Sequence, residues 1–189
     1  MRPKNTYKIG LIGLGLIGGS IAKALSQKEH QLIAIANSDS TFNKAKDLDI
    51  FTLVSKEIKD LDGCDIIFVS TPINTLNIIF DKLKNVITQP CIITDAASIK
   101  AEIAQLGQKV FDTDNITFIP GHPMAGTEFK GIEHSFAELF EKAKWVLCPT
   151  DQRKQKHLMI LKSLISQMGA DVIFAHPVQH DMSVALISH

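Results

Sequence analysis

The chain has 189 residues, 45% of them hydrophobic and 21% charged, a length and balance that suit one well-buried α/β domain with a little left over. Its 20 basic and 20 acidic side chains are interspersed and cancel, which excludes a phosphate-tracking surface for nucleic acid and a basic membrane patch. No uninterrupted apolar stretch approaches the roughly 18 residues needed to span a bilayer, and Cys64, Cys91 and Cys148 read as reduced core residues of a cytoplasmic protein.

Arg2, Lys4 and Lys8 before the run from Ile9 to Ile17 have the outline of a secretory signal. That reading is set aside, because the run carries glycines at spaced positions and no small-residue cleavage site leads into a cysteine-rich chain. Lys8 to Ile12 is instead a short apolar strand, followed by Gly13-Leu14-Gly15-Leu16-Ile17-Gly18, which has the spacing G-x-G-x-x-G. Gly13 would permit a sharp turn, Gly15 would let a pyrophosphate approach the backbone, and Gly18 would let helix and strand pack closely. With Leu16 and Ile17 they form the expected dinucleotide-binding turn, its diphosphate lying on the N–H groups of a helix from about 18 to 27. An ordinary strand-helix corner has the same spacing less often in this context.

A second strand, 31 to 36, ends in Asn37-Ser38-Asp39-Ser40. An acidic residue at that point would bond the adenosine ribose, and its absence makes room for a 2′-phosphate. Asp39 fits by counting, but by strand geometry the acid's place falls on Ala36 or Asn37. The small polar groups Asn37 and Ser38 therefore lean the reading to NADP over NAD, although no arginine is adjacent. A helix over 42–48 and a short strand at 52–54 follow. The apolar run Ile66 to Val69 reads as the central strand, so Ser70, Thr71 and Pro72 at its carboxyl end would line the cofactor, or serve only to stop the strand at proline.

A helix period covers 76–86, a strand 91–95, a helix through 106 and a strand 116–119. A short helix near 139–140, a strand 144–148, a helix 157–168 and a last strand 171–175 complete a Rossmann-type doubly wound, mostly parallel sheet over residues 1–175. Ser98 and His122 each fall just past a strand end on the cofactor side. An imidazole there suits a base that takes the proton of an alcohol as hydride leaves, with Ser98 able to orient it; a turn residue is the plain alternative. Pro177 opens a final helix carrying His180. His176 and His180 are four apart, but Pro177 puts His176 outside the helix and no cysteine or clustered carboxylate completes a site, so no metal is expected.

Gly13 to Ser20, Thr71-Pro72, Thr94 to Lys100, Gly121-His122-Pro123-Met124-Ala125-Gly126-Thr127 and His180-Asp181 through Ser188-His189 resemble the prephenate/arogenate dehydrogenases of tyrosine biosynthesis, in order and over essentially the whole chain. The resemblance implies oxidation of the ring carbinol of prephenate or arogenate by NADP or NAD, with loss of carbon dioxide. It implies His122 as the catalytic base, Ser98 as its partner near the nicotinamide, and His180, Ser188 and His189 near the substrate. Residues 176–189 would then begin an all-helical substrate and dimerisation domain, in a family expected to form homodimers. The family's pattern continues past His189, and only Arg2 and Arg153 are arginines, so the chain is expected to be a partial enzyme. Another small Rossmann reductase and a non-catalytic dinucleotide-binding module are the alternatives.

Overall fold

The computed structural model describes residues 5–111, 113–151 and 154–187. In chain order the elements are β1 (Lys8–Ile12), α1 (Leu16–Ser26), β2 (Gln31–Ile35), α2 (Asp39–Asp47), β3 (Leu53–Ser55), β4 (Ile66–Val69), α3 (Leu76–Val86), β5 (Cys91–Asp95), α4 (Ala101–Val110), β6 (Ile116–Phe118), β7 (Gly121–Pro123), β8 (Lys144–Leu147), α5 (Gln155–Ser166), β9 (Asp171–Phe174) and α6 (Pro177–Ile187). Six strands form a parallel sheet in the order β3-β2-β1-β4-β5-β6, a Rossmann-type topology whose order reverses beside β1.

These strands are apolar on both sides because both faces of the sheet are covered. Ile9, Leu11, Leu32, Ala34, Ile66, Phe68 and Ile92 face one core, shared with Ile21 and Leu25 of α1 and Leu161 and Leu164 of α5. Their alternates Ile12, Ile33, Ile67, Val69 and Ile93 face the other, against Phe80 and Leu83 of α3 and Ile103 of α4. The period of two within each strand thus divides one continuous hydrophobic run between two layers.

One expectation is corrected. The strands at 144–148 and 171–175 do not extend the main sheet; β8 and β9 form a separate three-stranded sheet, β7-β8-β9, with β7 antiparallel and β9 parallel to β8. Strand β7 itself, Gly-His-Pro, is too short and too proline-marked to show alternation. Its conformation comes from the register Gly121↔Leu147, His122↔Val146 and Pro123↔Trp145. Trp145 anchors this sheet on the first core, edge-on to Phe68 with ring centroids 6.2 Å apart and 5.1 Å from Phe140.

Candidate active site

Hydrogen bonds from Ser70 N–H to Ile12 C=O (2.7 Å) and from Ala96 N–H to Val69 C=O (3.1 Å) align the carboxyl ends of β1, β4 and β5. The glycine turn leaves β1 at this edge, and the three glycines do separate jobs. Gly13 has φ +89°, and a Cβ there would lie 2.6 Å from the Ser70 carbonyl. A Cβ at Gly18 would fall 1.9 Å from the Gly13 carbonyl oxygen, so α1 can pack on the turn only without one. At Gly15 a Cβ would meet nothing among the described residues within 4 Å. The fold does not require glycine there, whereas close approach of a ligand does.

No described side chain caps α1, leaving its first N–H groups directed at this open space, and the half-buried Ser70 has a hydroxyl oxygen buried without a hydrogen-bond partner. Thr71 and Pro72 follow, with the Thr75 hydroxyl donating to the Pro72 carbonyl at 2.7 Å. The donor set, the open glycine and the orphaned hydroxyl fit a dinucleotide phosphate.

A cavity of about 290 Å³ continues from Gly13, Leu14 and Gly15 to Ala36, Asn37, Ser38, Thr41 and Lys44, and is closed by Gly131, Ile132 and Glu133. Ser38 caps α2, accepting from Thr41 N–H at 3.1 Å. Asp39 is not among the lining residues; its carboxylate pairs with Lys56 outside the cavity. Lys44, two turns into α2, faces the cavity and pairs with Glu133 at 3.0 Å. Sequence reading looked for an arginine and missed this lysine, although Ser38, Thr41 and Lys44 share a helix face at spacings of three. It missed the Gly131–Glu133 wall too, which is held to α1 by Lys23 Nζ donating to Ser135 C=O (2.6 Å) and Phe136 N–H donating to Ser20 Oγ (3.1 Å).

The second cluster lies at the end of β5. Asp95 and Lys100, both fully buried, form an ion pair; Lys100 Nζ also donates to Gly121 C=O at 2.7 Å, and Asp95 accepts from Ala97 N–H (2.9 Å) and Gly121 N–H (3.1 Å). Burial pushes the Asp95 carboxyl up and the Lys100 ammonium down, each opposed by its partner. The pair clamps Gly121 against β5, where a Cβ would lie 2.9 Å from Asp95 O, and so sets the position of the next residue, His122.

His122 is half-buried, and its Nδ1 lies 2.9 Å from Nε2 of His180, which is 3% exposed. His180 Nδ1 in turn lies 2.8 Å from Asp181 Oδ1. Burial, with His180 and Lys100 nearby, pushes the His122 imidazole down to about 4, so it is a neutral base at pH 7. Ser98 is exposed beyond β5 and makes no hydrogen bond to His122; the hydrogen-bond partner at His122 Nδ1 is His180. Ser188 and His189, with Arg2 and Arg153, lie outside the described residues. His176 Nδ1 accepts from Val178 N–H at 3.4 Å at the start of α6.

Cys64, Cys91 and Cys148 are buried free thiols whose pKa values burial raises, to about 12 for Cys64 and about 11 for Cys148, so none is a ready nucleophile. Among the described residues no helix is long and apolar enough to cross a membrane.

Comparison with known proteins agrees with this geometry. The family described as prephenate dehydrogenase, nucleotide-binding domain, matches residues 21–174. Prephenate dehydrogenase of Lactococcus lactis is 34% identical over 96% of this chain and 50% of its own length, so the chain spans about half the length of that curated relative. The crystal structure of Synechocystis arogenate dehydrogenase superposes with a TM-score of 0.90 at 36% identity, covering 96% of this chain and 64% of that one. Prephenate dehydrogenase from Aquifex aeolicus, in complex with hydroxyphenyl propionate and NAD+, gives 0.85 at 27% identity, covering 96% and 68%. With its glycine turn, its strand order and a family match over most of its length, the chain belongs to the prephenate dehydrogenase nucleotide-binding domains.

Proposed function

We propose that this chain binds NADP or NAD along the glycine turn and oxidises the ring carbinol of prephenate or arogenate, the ring carboxylate leaving as carbon dioxide. The observation that carries the reading is a neutral imidazole next to Gly121, which is clamped at the carboxyl end of β5, two strands along from the open dinucleotide turn that leaves β1; its Nδ1 is already committed and its Nε2 has no partner among the described residues. With its diphosphate held on that turn, the cofactor's nicotinamide would supply the hydride acceptor. The chain supplies the base.

As the carbinol C–H gives up hydride, the O–H proton passes to His122 Nε2 and the oxygen's electron pair forms a carbonyl. Loss of carbon dioxide then returns an electron pair through the ring to that oxygen, which takes a proton back as the ring becomes aromatic. Overall the substrate neither gains nor releases a proton, so the base holds one only transiently. In this reading Ser98, exposed beyond β5, meets the cofactor or substrate, and His180 acts on substrate through His122 because both its ring nitrogens are engaged. Ser188 and His189 complete the substrate side in this reading. We assign NADP the preference, since Asn37, Ser38, Thr41 and Lys44 gather hydrogen-bond donors and a cation where the adenosine ribose would lie.

The test is to follow cofactor reduction with prephenate and with arogenate, in the wild type and in His122→Asn. Turnover lost in the variant with cofactor binding kept supports the assignment. Turnover unchanged in the variant contradicts it.

A further inference from the structure

We infer that Asp181, His180 and His122 form a proton relay that dictates which nitrogen of His122 is the base and where the transferred proton rests; the relay rests on the dehydrogenase reading of the site.

Nothing in the α4 sequence caps its N-terminus; the cap comes from α6, where Asp181 Oδ1 accepts from Lys100 N–H (2.7 Å) and Oδ2 from Ala101 N–H (2.8 Å). Burial alone would raise the Asp181 carboxyl, but the Ala101 N–H, the His180 ring and the Lys100 N–H outweigh it and hold the group below the usual carboxylate range. An ionised carboxylate can only accept, so the 2.8 Å contact to His180 Nδ1 places a proton on that nitrogen. With that single ring proton on Nδ1, His180 has its lone pair at Nε2, and the 2.9 Å contact to His122 Nδ1 is donated by His122. His122 is left with its lone pair at Nε2, the nitrogen free to meet a substrate hydroxyl.

The same chain resolves a difficulty of the buried base. His122 is disfavoured as an imidazolium by burial, by His180 and by the Lys100 ammonium, itself locked onto Asp95 and the Gly121 carbonyl, and the Asp181 carboxylate opposes these only in part. When Nε2 takes the carbinol proton, the Nδ1 proton crosses to His180 Nε2. His122 is then neutral again, protonated on Nε2, and His180 is an imidazolium against the Asp181 carboxylate. Return of a proton to the product oxygen runs both transfers backwards, which matches a reaction that releases no net proton. His180 and Asp181 are positioning residues in this scheme, since neither touches the substrate.

The experiment is nitrogen NMR of the chain labelled with ¹⁵N-histidine, using long-range proton couplings to read which ring nitrogen bears hydrogen at neutral pH. The relay requires the Nδ1–H tautomer at both His122 and His180 in the wild type, and loss of the Nδ1–H form of His122 in His180→Ala. The Nε2–H tautomer at His122 in the wild type, or an Nδ1–H form that survives His180→Ala, overturns it. The wild-type spectrum needs no variant, so a variant that fails to fold leaves the test standing. No turnover enters the measurement, so the relay and the dehydrogenase reading can fail separately.

Discussion

The glycine turn leaves the carboxyl end of β1 and the histidine pair joins β7 of the second sheet to α6, and the two are assembled differently. The turn is made of consecutive residues, and its chemistry is backbone chemistry: N–H groups at an uncapped helix and three glycines whose missing Cβ atoms make the shape. The histidine pair joins residues 58 positions apart, and the carboxylate behind it reaches backbone groups 81 and 80 positions away. A local backbone requirement leaves its mark as glycine. A long-range requirement for hydrogen-bond partners leaves none, because almost any stretch of chain could supply the partner.

The largest loss is expected at the buried ion pair behind His122. Lys100→Met leaves the Asp95 carboxylate buried without its cation and should cost about 3–5 kcal/mol in denaturant melts, most of it recovered in the Asp95→Asn/Lys100→Met double variant. A loss below about 1 kcal/mol would mean that the clamp on Gly121 does not depend on the pair. On the other side, Gly18→Ala should cost about 1–3 kcal/mol because its Cβ meets the Gly13 carbonyl. Gly15→Ala should leave stability within about 0.5 kcal/mol while weakening dinucleotide binding tenfold or more, about 1.4 kcal/mol. If both glycine variants lose stability alike, the division of labour in the turn is wrong.

Lys44→Ala sharpens the cofactor side. Loss of a charge-assisted contact of about 1.5–3 kcal/mol should weaken NADP by tenfold or more and leave NAD nearly unchanged, measured by calorimetric titration of each. Equal weakening of both would take the lysine out of the 2′-phosphate subsite.

The buried base also makes stability depend on pH. Because His122 is held at about 4 in the fold against 6.5 unfolded, the unfolded chain binds more protons between those values. Its contribution to stability is complete above about 6.5 and falls as the pH drops toward 4, in the same direction as the lowered Asp181. Melts at intervals across that window should show this slope, and His122→Gln should flatten it.

The six parallel strands and their helices were legible because each strand is a short, doubly apolar run bounded by turn residues, as in Ile66–Val69 and Cys91–Asp95. The second sheet was not, since β7 takes its conformation from its partner Trp145–Leu147 and not from its own three residues. At the site, Gly13, Gly15, Gly18 and His122 could be named from spacing and motif. Lys44 needed helix periodicity combined with a known cavity wall. Asp181 stood beside His180 in the matched motif, but nothing local marked it as the cap of a helix that begins 80 residues earlier. The hydroxyl expected beside His122 was Ser98, which is next to it in the order of strand ends, but the structure fills that place with His180 from α6.

Calorimetric titration of the folded chain with NADP and with NAD at one salt concentration tests the glycine turn as a dinucleotide site. Binding of both, with NADP the tighter, is the predicted result. A chain shown to be folded that binds neither would contradict the assignment of the glycine turn as a dinucleotide site.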